Sequence, residues 1–276
     1  MVETLQIYWQ AHRGGGAYEA PDNTMAANLY TWELGGIPEA DLRTTKDGEI
    51  ICLHDATPAR TTTVPEDAKD RPISSFTLQE IKQWDAGVKF DAKFKGEKVP
   101  TLAEVFHNMQ GIPERQIYLD LKEVDLDQLG RLIDEYEVNK QVIFTHNNQE
   151  NCKRMKTIAA NVRTMLWIMG NVDKIKQTYS QAKANDFAGL DQVQIHLRLA
   201  NDDDQGSNDR WPFELEQAFV REVIEDAQSA GIDFEVFLYS CEEKVVHRLL
   251  DEGVRWFATD EPSHFLKSVR SWRRSS

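Results

Sequence analysis

Residues 116–145 read QIYLDLKEVDLDQLGRLIDEYEVNKQVIFT and contain one complete strand–helix–strand pattern. Apolar residues alternate over Gln116–Leu121 and run together over Gln141–Thr145, and both patterns favour β-strands. Between them, Leu126–Tyr136 has the apolar spacing of an amphipathic helix, and Asp125 stands where an N-cap would stand. Two strands joined by a helix in this way are typical of a parallel βαβ unit.

The same alternation extends in both directions along the chain. Further strands are predicted at Ile7–Ala11, Ile37–Leu42, Thr164–Ile168, Gly189–Ile195, Phe234–Tyr239 and Arg255–Thr259. Further helices are predicted at Asn23–Leu34, Leu102–Met109, Gln149–Ala160, Val172–Lys183, Glu214–Ala230 and Glu242–Glu252. Eight strands alternating with helices fit an α/β fold of the TIM (β/α)8 barrel type, although periodicity alone also allows a doubly wound open sheet.

Two segments interrupt this alternation. Residues 57–98 are polar and separate the early strands from the helix predicted at Leu102. Connections of this length usually form functional lids or small subdomains. The acidic loop Asn201–Asp209 is typical of a solvated loop, with calcium binding as the alternative. We therefore expect one barrel domain over residues 1–276, with a small insertion subdomain at 57–98 after an early β-hairpin.

Charge and composition exclude several functional classes. The formal net charge is −14, whereas a nucleic-acid-binding protein needs a cluster of basic residues to contact the phosphates. No apolar run is long enough to predict a transmembrane segment. Because residues 1–10 lack the features of a signal peptide, we expect a cytoplasmic protein, or a periplasmic or secreted one whose leader has been removed. The three separated cysteines predict neither a disulfide framework nor a zinc cluster.

The predicted hairpin after the second strand gathers carboxylates and a histidine. Its Asp47-Gly48 pair predicts a two-residue type I′ turn, in which both residues take positive φ. With that turn, Asp41 would lie opposite His54, and Glu39 would share the face of Asp41. Such a face can form a site for a hard cation beside an acid–base group, with a solvated polar hairpin as the alternative.

Three further strands end in polar residues that could belong to the same site. Asp120 and Lys122 share one face of their strand, where they would add a carboxylate and a cation for an anionic substrate; a surface ion pair is the alternative. His12-Arg13 ends the first strand before three glycines, so Arg13 could contact a phosphate, with an ordinary strand-to-loop turn as the alternative. His196 ends another strand and is a plausible pocket residue.

Taken together, these segments resemble the signature of the glycerophosphodiester phosphodiesterase family. The matching segments are His12-Arg13-Gly14, Pro21-Asp22-Asn23-Thr24, Glu39-x-Asp41, Thr45-Lys46-Asp47-Gly48, His54-Asp55, Arg60-Thr61-Thr62, Leu119-Asp120-Leu121-Lys122 and Thr259-Asp260-Glu261-Pro262. The resemblance runs from about residue 7 to residue 270 and is dense over the first 125 residues.

The resemblance implies a TIM barrel that hydrolyses small glycerophosphodiesters to glycerol 3-phosphate and an alcohol, with Mg²⁺ or Ca²⁺ as the cofactor. It places His12 and His54 at the positions of the acid–base pair. The positions that contact phosphate correspond to Arg13 and Lys122. The metal-ligand positions correspond to Glu39, Asp41 and Asp120.

Three positions depart from the family's usual pattern. Asp22 and Asp120 stand where the family commonly has glutamate, and Phe237 lies in a region where tryptophan is common. Aspartate is one methylene shorter, about 1.5 Å of reach, so Asp120 could ligate through a water molecule or favour a different cation. Phe237 is a possible pocket residue and would change the pocket wall.

Three alternative functions are compatible with the same fold. A lipid phosphodiesterase of the sphingomyelinase D kind would need an exposed apolar rim, to which Trp84, Phe90, Phe94 and Trp211 could contribute; packing within the insertion is the favoured interpretation of these aromatics. A non-catalytic barrel that binds a phosphoryl ligand would accommodate the departures at Asp22 and Asp120. A metal-dependent sugar isomerase would not need the cations Arg13 and Lys122.

Overall fold

A closed ring of parallel strands forms the centre of the computed structural model, which describes residues 6–200 and 211–275. In these residues the strands are β1 (Tyr8–Ala11), β2 (Ile37–Thr44), β3 (Ile50–Cys52), β4 (Ile117–Glu123), β5 (Val142–His146), β6 (Arg163–Ile168), β7 (Gln192–Leu197), β8 (Asp233–Leu238) and β9 (Trp256–Thr259). All except β3 belong to the barrel. Because β1 pairs in parallel with both β9 and β2, the ring has no free edge. The predicted TIM barrel is confirmed, and the open-sheet alternative is wrong.

Helices cover the outside of the barrel, and one further short helix, α2, lies in the insertion. They are α1 (Met25–Glu33), α2 (Leu78–Ile81), α3 (Leu102–Met109), α4 (Leu126–Glu135), α5 (Gln149–Ile158), α6 (Val172–Ala184), α7 (Gln217–Ala230), α8 (Glu243–Asp251) and α9 (Pro262–Ser275). Asp125 caps α4 by accepting a hydrogen bond from the Gln128 N–H at 2.9 Å. Outward-facing strand residues such as Leu42 and Leu119 pack with the helices in the main hydrophobic core. None of the described helices is long and apolar enough to cross a membrane.

The inside of the barrel is closed at the amino ends of its strands. Alternate strand residues point inward, and the lowest of them are mainly apolar. A buried cluster there consists of Ile37, Tyr118, Ile143, Met165 and Trp256. The ring of Tyr8 stacks on Trp256 with centroids 4.1 Å apart. The interior therefore opens to solvent at the carboxyl ends of the strands, where TIM barrels build their active sites.

The turn of the early hairpin is one residue longer than predicted. The Thr45 N–H donates to the Glu49 carbonyl, which encloses three residues in the turn. Of the Asp47-Gly48 pair only Gly48 has positive φ, at 87°. Asp47 is held differently, because its Oδ1 accepts the Leu78 N–H at the start of α2 at 2.9 Å. The predicted type I′ turn is therefore wrong.

The longer turn shifts the pairing of β2 with β3 by one residue. The observed pairs include Leu42 with Cys52 and Thr44 with Ile50. Asp41 consequently lies opposite Leu53, whose N–H donates to the Asp41 carbonyl at 2.8 Å. The predicted pairing of Asp41 with His54 is wrong, since a one-residue slip exchanges the faces of the strand.

The chain between β3 and α3 carries a second hydrophobic cluster, separate from the main core. Its buried members are Ile51, Leu53, Ala68, Ile73, Phe76, Ile81, Trp84, Ala86 and Val99. Trp84 packs edge-on against Phe76 at 5.0 Å, and Phe90 contacts Phe94 at 5.7 Å. The aromatics of the insertion therefore pack with one another. The acidic loop Asn201–Asp209 lies outside the described residues.

Candidate active site

A pocket of about 300 Å³ opens at the carboxyl ends of the barrel strands. The predicted site residues that line it are His12, Arg13, Glu39, His54, Asp120, Lys122, His196 and Phe237. Asp41 lies beside the pocket, and its Oδ1 is 3.1 Å from Lys122 Nζ. His54 reaches the pocket from the loop that follows β3. The structure thus brings the predicted histidine pair, phosphate-contacting residues, metal-ligand residues and pocket residues together at one place.

Three buried carboxylates form the most negative part of this site. Glu39, Asp41 and Asp120 each offer one oxygen, and the three oxygens lie within 4.8 Å of one another. Strand geometry explains the cluster, because Glu39 and Asp41 are two residues apart on β2 and Asp41 is the register partner of Asp120 on β4. The positions of the three residues on the two strands are therefore enough to bring their carboxyl groups together.

Hydrogen bonds fix the orientation of these carboxylates. Glu39 Oε2 accepts the backbone N–H of Arg13 at 2.7 Å, and Arg13 takes a left-handed φ of 54° at that point. The amide of Asn23 donates to Asp41 Oδ2 and accepts the Asp41 backbone N–H, both at 2.8 Å. Lys122 contacts both Asp41 and Asp120. Three different segments of the chain therefore hold the carboxylates, and Lys122 is shared by two of them.

The electrostatics of the cluster favour a bound cation. Burial, with the charges of Asp41 and Asp120, raises the pKa of Glu39 well above its usual value. Burial also raises the pKa of Asp120. Burial opposes ionisation of Asp41, but Lys122, His54 and Asn23 hold its pKa below the usual value. One ammonium cannot balance three carboxylates, and oxygen ligands of this kind fit a hard divalent cation.

Each of the two pocket histidines is paired with an aspartate. His12 Nδ1 lies 2.7 Å from Asp260 Oδ1, and His54 Nδ1 lies 2.8 Å from Asp55 Oδ1. A carboxylate at Nδ1 favours the tautomer that carries its proton on that nitrogen. The Nε2 atom of each ring is then free to take or give a proton.

A chain of ion pairs connects Arg13 with His54. Arg13 Nη1 lies 3.1 Å from Asp22 Oδ2, and the same oxygen lies 2.6 Å from Arg60 Nη1. Arg60 Nε also donates to Asp55 Oδ2 at 2.6 Å. Partial burial opposes ionisation of Asp55, but hydrogen bonds from Arg60 and His54 lower its pKa to about 2. The insertion thereby contacts the site through Arg60.

Aromatic side chains form the opposite wall of the pocket. His196 stacks on Phe237 with ring centroids 4.3 Å apart and an angle of 2°, and its Nδ1 lies 2.9 Å from the Tyr239 hydroxyl. Burial, with the charges of His12 and Arg198, lowers the pKa of His196 to about 3, so its imidazole stays neutral. Trp167 Nε1 donates to Asp120 Oδ1 at 3.2 Å, which joins this wall to the carboxylates.

Sequence reasoning missed several residues of the site. Asp55 and Asp260 lie within the segments that resemble the family, but the sequence alone did not predict that they contact the histidines. The position of Asp260 was a usable signal, because it follows the last strand and a closed barrel places that strand beside the first. Arg60 was also matched without a role. No local sequence pattern indicated Trp167 as a site residue. Its one signal is that it lies two residues after Met165 and therefore on the same inward face of the strand.

Comparison with known proteins identifies the family of the chain. The model of the glycerophosphoryl diester phosphodiesterase family matches residues 12–264. A glycerophosphodiester phosphodiesterase from Caldanaerobacter subterraneus is 29% identical over 279 residues, which cover 98% of this chain and 99% of the relative. The family resemblance expected from the sequence is confirmed.

Solved structures support the fold in particular. The glycerophosphodiester phosphodiesterase of Agrobacterium tumefaciens superposes with a TM-score of 0.70 at 23% identity, covering 94% of this chain and 99% of that one. A phosphodiesterase of Oleispira antarctica, in complex with the product sn-glycerol-3-phosphate, superposes with a TM-score of 0.69 at 19% identity, covering 95% and 96%.

Proposed function

The chain belongs to the glycerophosphoryl diester phosphodiesterase family, and on this premise we propose that it hydrolyses small glycerophosphodiesters to glycerol 3-phosphate and an alcohol with the help of a divalent cation. One observation carries the proposal: three buried carboxylates, two cationic side chains and two aspartate-bound histidines meet in one pocket. The product found with the Oleispira antarctica relative supports glycerol 3-phosphate as the product here.

Charge neutralisation is the first requirement of this reaction, because the anionic oxygens of a phosphodiester repel a nucleophile. Glu39, Asp41 and Asp120 would hold Mg²⁺ or Ca²⁺, and the ion would supply Lewis-acid polarisation of the phosphoryl oxygens. Lys122 borders the carboxylates and would contact the same phosphoryl group. The buried Nε of Arg13 has no hydrogen-bond partner among the described residues and would donate to the phosphate.

Proton transfer is the second requirement, and His12 and His54 can meet it as a pair. One Nε2 would accept a proton from the nucleophile, which is water or a hydroxyl of the substrate. The other Nε2 would donate a proton to the departing alkoxide. Asp260 and Asp55 would keep the rings oriented and stabilise the imidazolium form.

Release of glycerol 3-phosphate tests the proposal directly. Glycerophosphocholine and glycerophosphoethanolamine would be incubated with EDTA-treated protein, and then with Mg²⁺, Ca²⁺ or Mn²⁺ restored. We expect release only with a metal ion, and a loss of at least about 10²-fold in Asp120→Asn. The control is Asp127→Asn, an exposed aspartate paired with Arg154 on the helical surface. Folded protein that releases nothing with any metal would overturn the proposal.

A lipid phosphodiesterase is the second candidate, because two exposed apolar side chains, Met169 and Tyr239, line the pocket. Five large hydrophobic residues of the described chain are exposed. Four of them, Tyr18, Phe90, Met169 and Tyr239, lie in the insertion or in loops that follow barrel strands. An acyl chain could lie against this rim. Cleavage of lysophosphatidylcholine faster than glycerophosphocholine would favour the lipid function over the first proposal.

A further inference from the structure

A layer of neutral polar side chains lies beneath the proposed acid–base pair. Gln10 stands two residues before His12 on β1, and Gln194 stands two residues before His196 on β7, so both point into the barrel one layer deeper. They are only 4% and 3% exposed, and both line the pocket. This layer is the floor of the site.

Some polar atoms of the floor make no hydrogen bond within the described chain. Gln194 Nε2 donates to Gln10 Oε1 at 3.1 Å and to Glu235 Oε2 at 3.0 Å, which uses both of its hydrogens. Within the described chain, Gln194 Oε1 and Gln10 Nε2 are left without a bond. Thr145, which is 1% exposed and also lines the pocket, has a buried Oγ1 that likewise lacks a partner there. A fully buried polar atom such as Thr145 Oγ1 normally has a partner, so a ligand group is expected to supply it, and the two glutamine atoms are available to the same ligand.

Thr145 lies next to the carboxylates at which the phosphate of the substrate would bind. Thr145 on β5 is the register partner of Asp120 on β4, one of the three clustered carboxylates. A substrate whose phosphate lay at those carboxylates could place one of its two ester arms beside Thr145, which lines the same pocket. The pocket residues Gln10 and Gln194 would meet the same arm.

The two ends of the pocket have different chemistry. Below the floor, the buried residues Ile37, Tyr118 and Trp256 fill the barrel, so the floor is a closed end, and Met165 of the same cluster reaches the pocket. Towards solvent the pocket is bordered by Met169 and Tyr239, each 47% exposed. A small alcohol of fixed size suits the closed end, whereas an alcohol of variable size suits the open end.

The floor also carries no formal charge at neutral pH. Behind Gln194, burial raises the pKa of Glu235 to about 8, so this carboxyl group stays protonated. Amides and hydroxyls without a net charge match the hydroxyl groups of a polyol. They offer no counter-ion to a buried ammonium or carboxylate, whose loss of hydration would be uncompensated.

We propose that Gln10, Thr145 and Gln194 form the subsite that binds the free hydroxyl groups of the glycerol arm, with the other alcohol directed to the open mouth. This inference rests on the proposed function of the same pocket. The subsite would determine specificity, because an alcohol arm without hydroxyls would leave these polar atoms, and the buried Thr145 Oγ1 above all, unpaired. Glu235 acts as a positioning residue that holds Gln194.

Binding of two phosphate monoesters tests the subsite without turnover. Calorimetry would compare sn-glycerol 3-phosphate with propyl phosphate, which has the same carbon chain but no hydroxyl, in the presence of Mg²⁺. We expect the wild type to bind glycerol 3-phosphate at least about tenfold more tightly. The variants Thr145→Val and Gln194→Leu should lose most of this preference while binding propyl phosphate as the wild type does. Thr157→Val, at an exposed threonine of α5, is the control.

Each remaining outcome has a definite meaning. A wild type that binds both monoesters equally, or binds neither, would overturn the subsite. If Thr145→Val lowers the affinity for both monoesters equally, Thr145 has a structural role, and this result would also overturn the subsite. If glycerol 3-phosphate is preferred but no glycerophosphodiester is hydrolysed, the proposed function fails and the subsite stands.

Discussion

His12 Nδ1 and Asp260 Oδ1 lie 2.7 Å apart although 248 positions separate the two residues in the chain. The pair exists because the first strand, β1, is hydrogen-bonded to the last strand, β9, with Ala11 beside Thr259. His12 and Asp260 each follow directly on one of these strands. The hydrogen bond therefore forms only when the barrel is closed.

Replacement of Asp260 should disable His12 without unfolding the protein. In Asp260→Asn the ring of His12 loses the carboxylate that lies at its Nδ1 and fixes its tautomer. We expect kcat to fall by about 10²-fold or more, while the melting temperature stays close to that of the wild type. Glu261→Gln changes the adjacent, half-buried residue in the same way and should keep full activity. A kcat of Asp260→Asn within about twofold of the wild type would remove Asp260 from the mechanism.

The glycine at position 16 is expected to tolerate no side chain. Its φ is +76°, and an added Cβ would lie 2.5 Å from the carbonyl oxygen of Asp260. Gly16→Ala should cost about 1–2 kcal/mol of stability from positive φ and should also displace Asp260, lowering kcat. Gly111 is the matched control, because its φ is +75° and no atom lies within 4 Å of the added Cβ. Equal kcat values in Gly16→Ala and Gly111→Ala would contradict this prediction.

Arg60 should matter for turnover although it comes from the insertion. In Arg60→Met both Asp55 and Asp22 lose their shared partner, so His54 and Arg13 would be held less firmly. We expect kcat/KM to fall by about tenfold or more, as for residues that orient an active-site group. Arg71→Met removes an arginine of the same segment that covers Phe76 at 4.2 Å, and it should leave kcat/KM unchanged. Similar losses in both variants would indicate a general effect on the insertion.

The buried acid Glu235 should make the folded state less stable at alkaline pH. Burial raises its pKa from 4.5 to about 8, and Tyr118, Arg163 and Asp233 are its charged or titratable neighbours. Below pH 4.5 the folded and unfolded chains both keep the proton. Between pH 4.5 and 8 only the folded chain keeps it, so the contribution of Glu235 to stability falls as the pH rises through this window.

Glu235→Gln should remove this loss, because the amide cannot ionise. Urea unfolding at pH 5 and pH 8 would compare the wild type with this variant and with Glu225→Gln on the surface of α7. We expect the wild type and Glu225→Gln to lose on the order of a few kcal/mol more than Glu235→Gln between these pH values. If all three proteins lose the same free energy of unfolding between pH 5 and pH 8, Glu235 is not the group that causes the loss of stability.

The sequence predicts the barrel and much of its site because the deciding patterns are local. Alternation along a strand fixes which residues share a face, so Glu39 with Asp41, and Asp120 with Lys122, could be grouped without the structure. Such patterns do not fix where a strand begins: β7 begins at Gln192, three residues after the predicted Gly189, whose φ of +74° does not suit a strand.

The features that the sequence did not predict depend on contacts between distant segments. The hairpin register depends on Leu78, because its N–H holds Asp47 in a conformation that a type I′ turn excludes. The pairing of Arg60 with Asp22 joins residues 38 positions apart. His196 is neutral because folding buries it against Phe237, and no local pattern reports that burial.

The second hydrophobic cluster sets the boundaries at which this region could be transplanted. Ile51 forms a bridge with Thr101, and the Cys52 N–H donates to the Pro100 carbonyl at 3.0 Å, so the two ends of the region are joined to each other. A chimaera that exchanged only residues 57–98 would separate Leu53 and Val99 from their packing partners. The unit available for recombination between related barrels therefore runs from Ile50 to Thr101, and a donor must supply the hairpin strand as well.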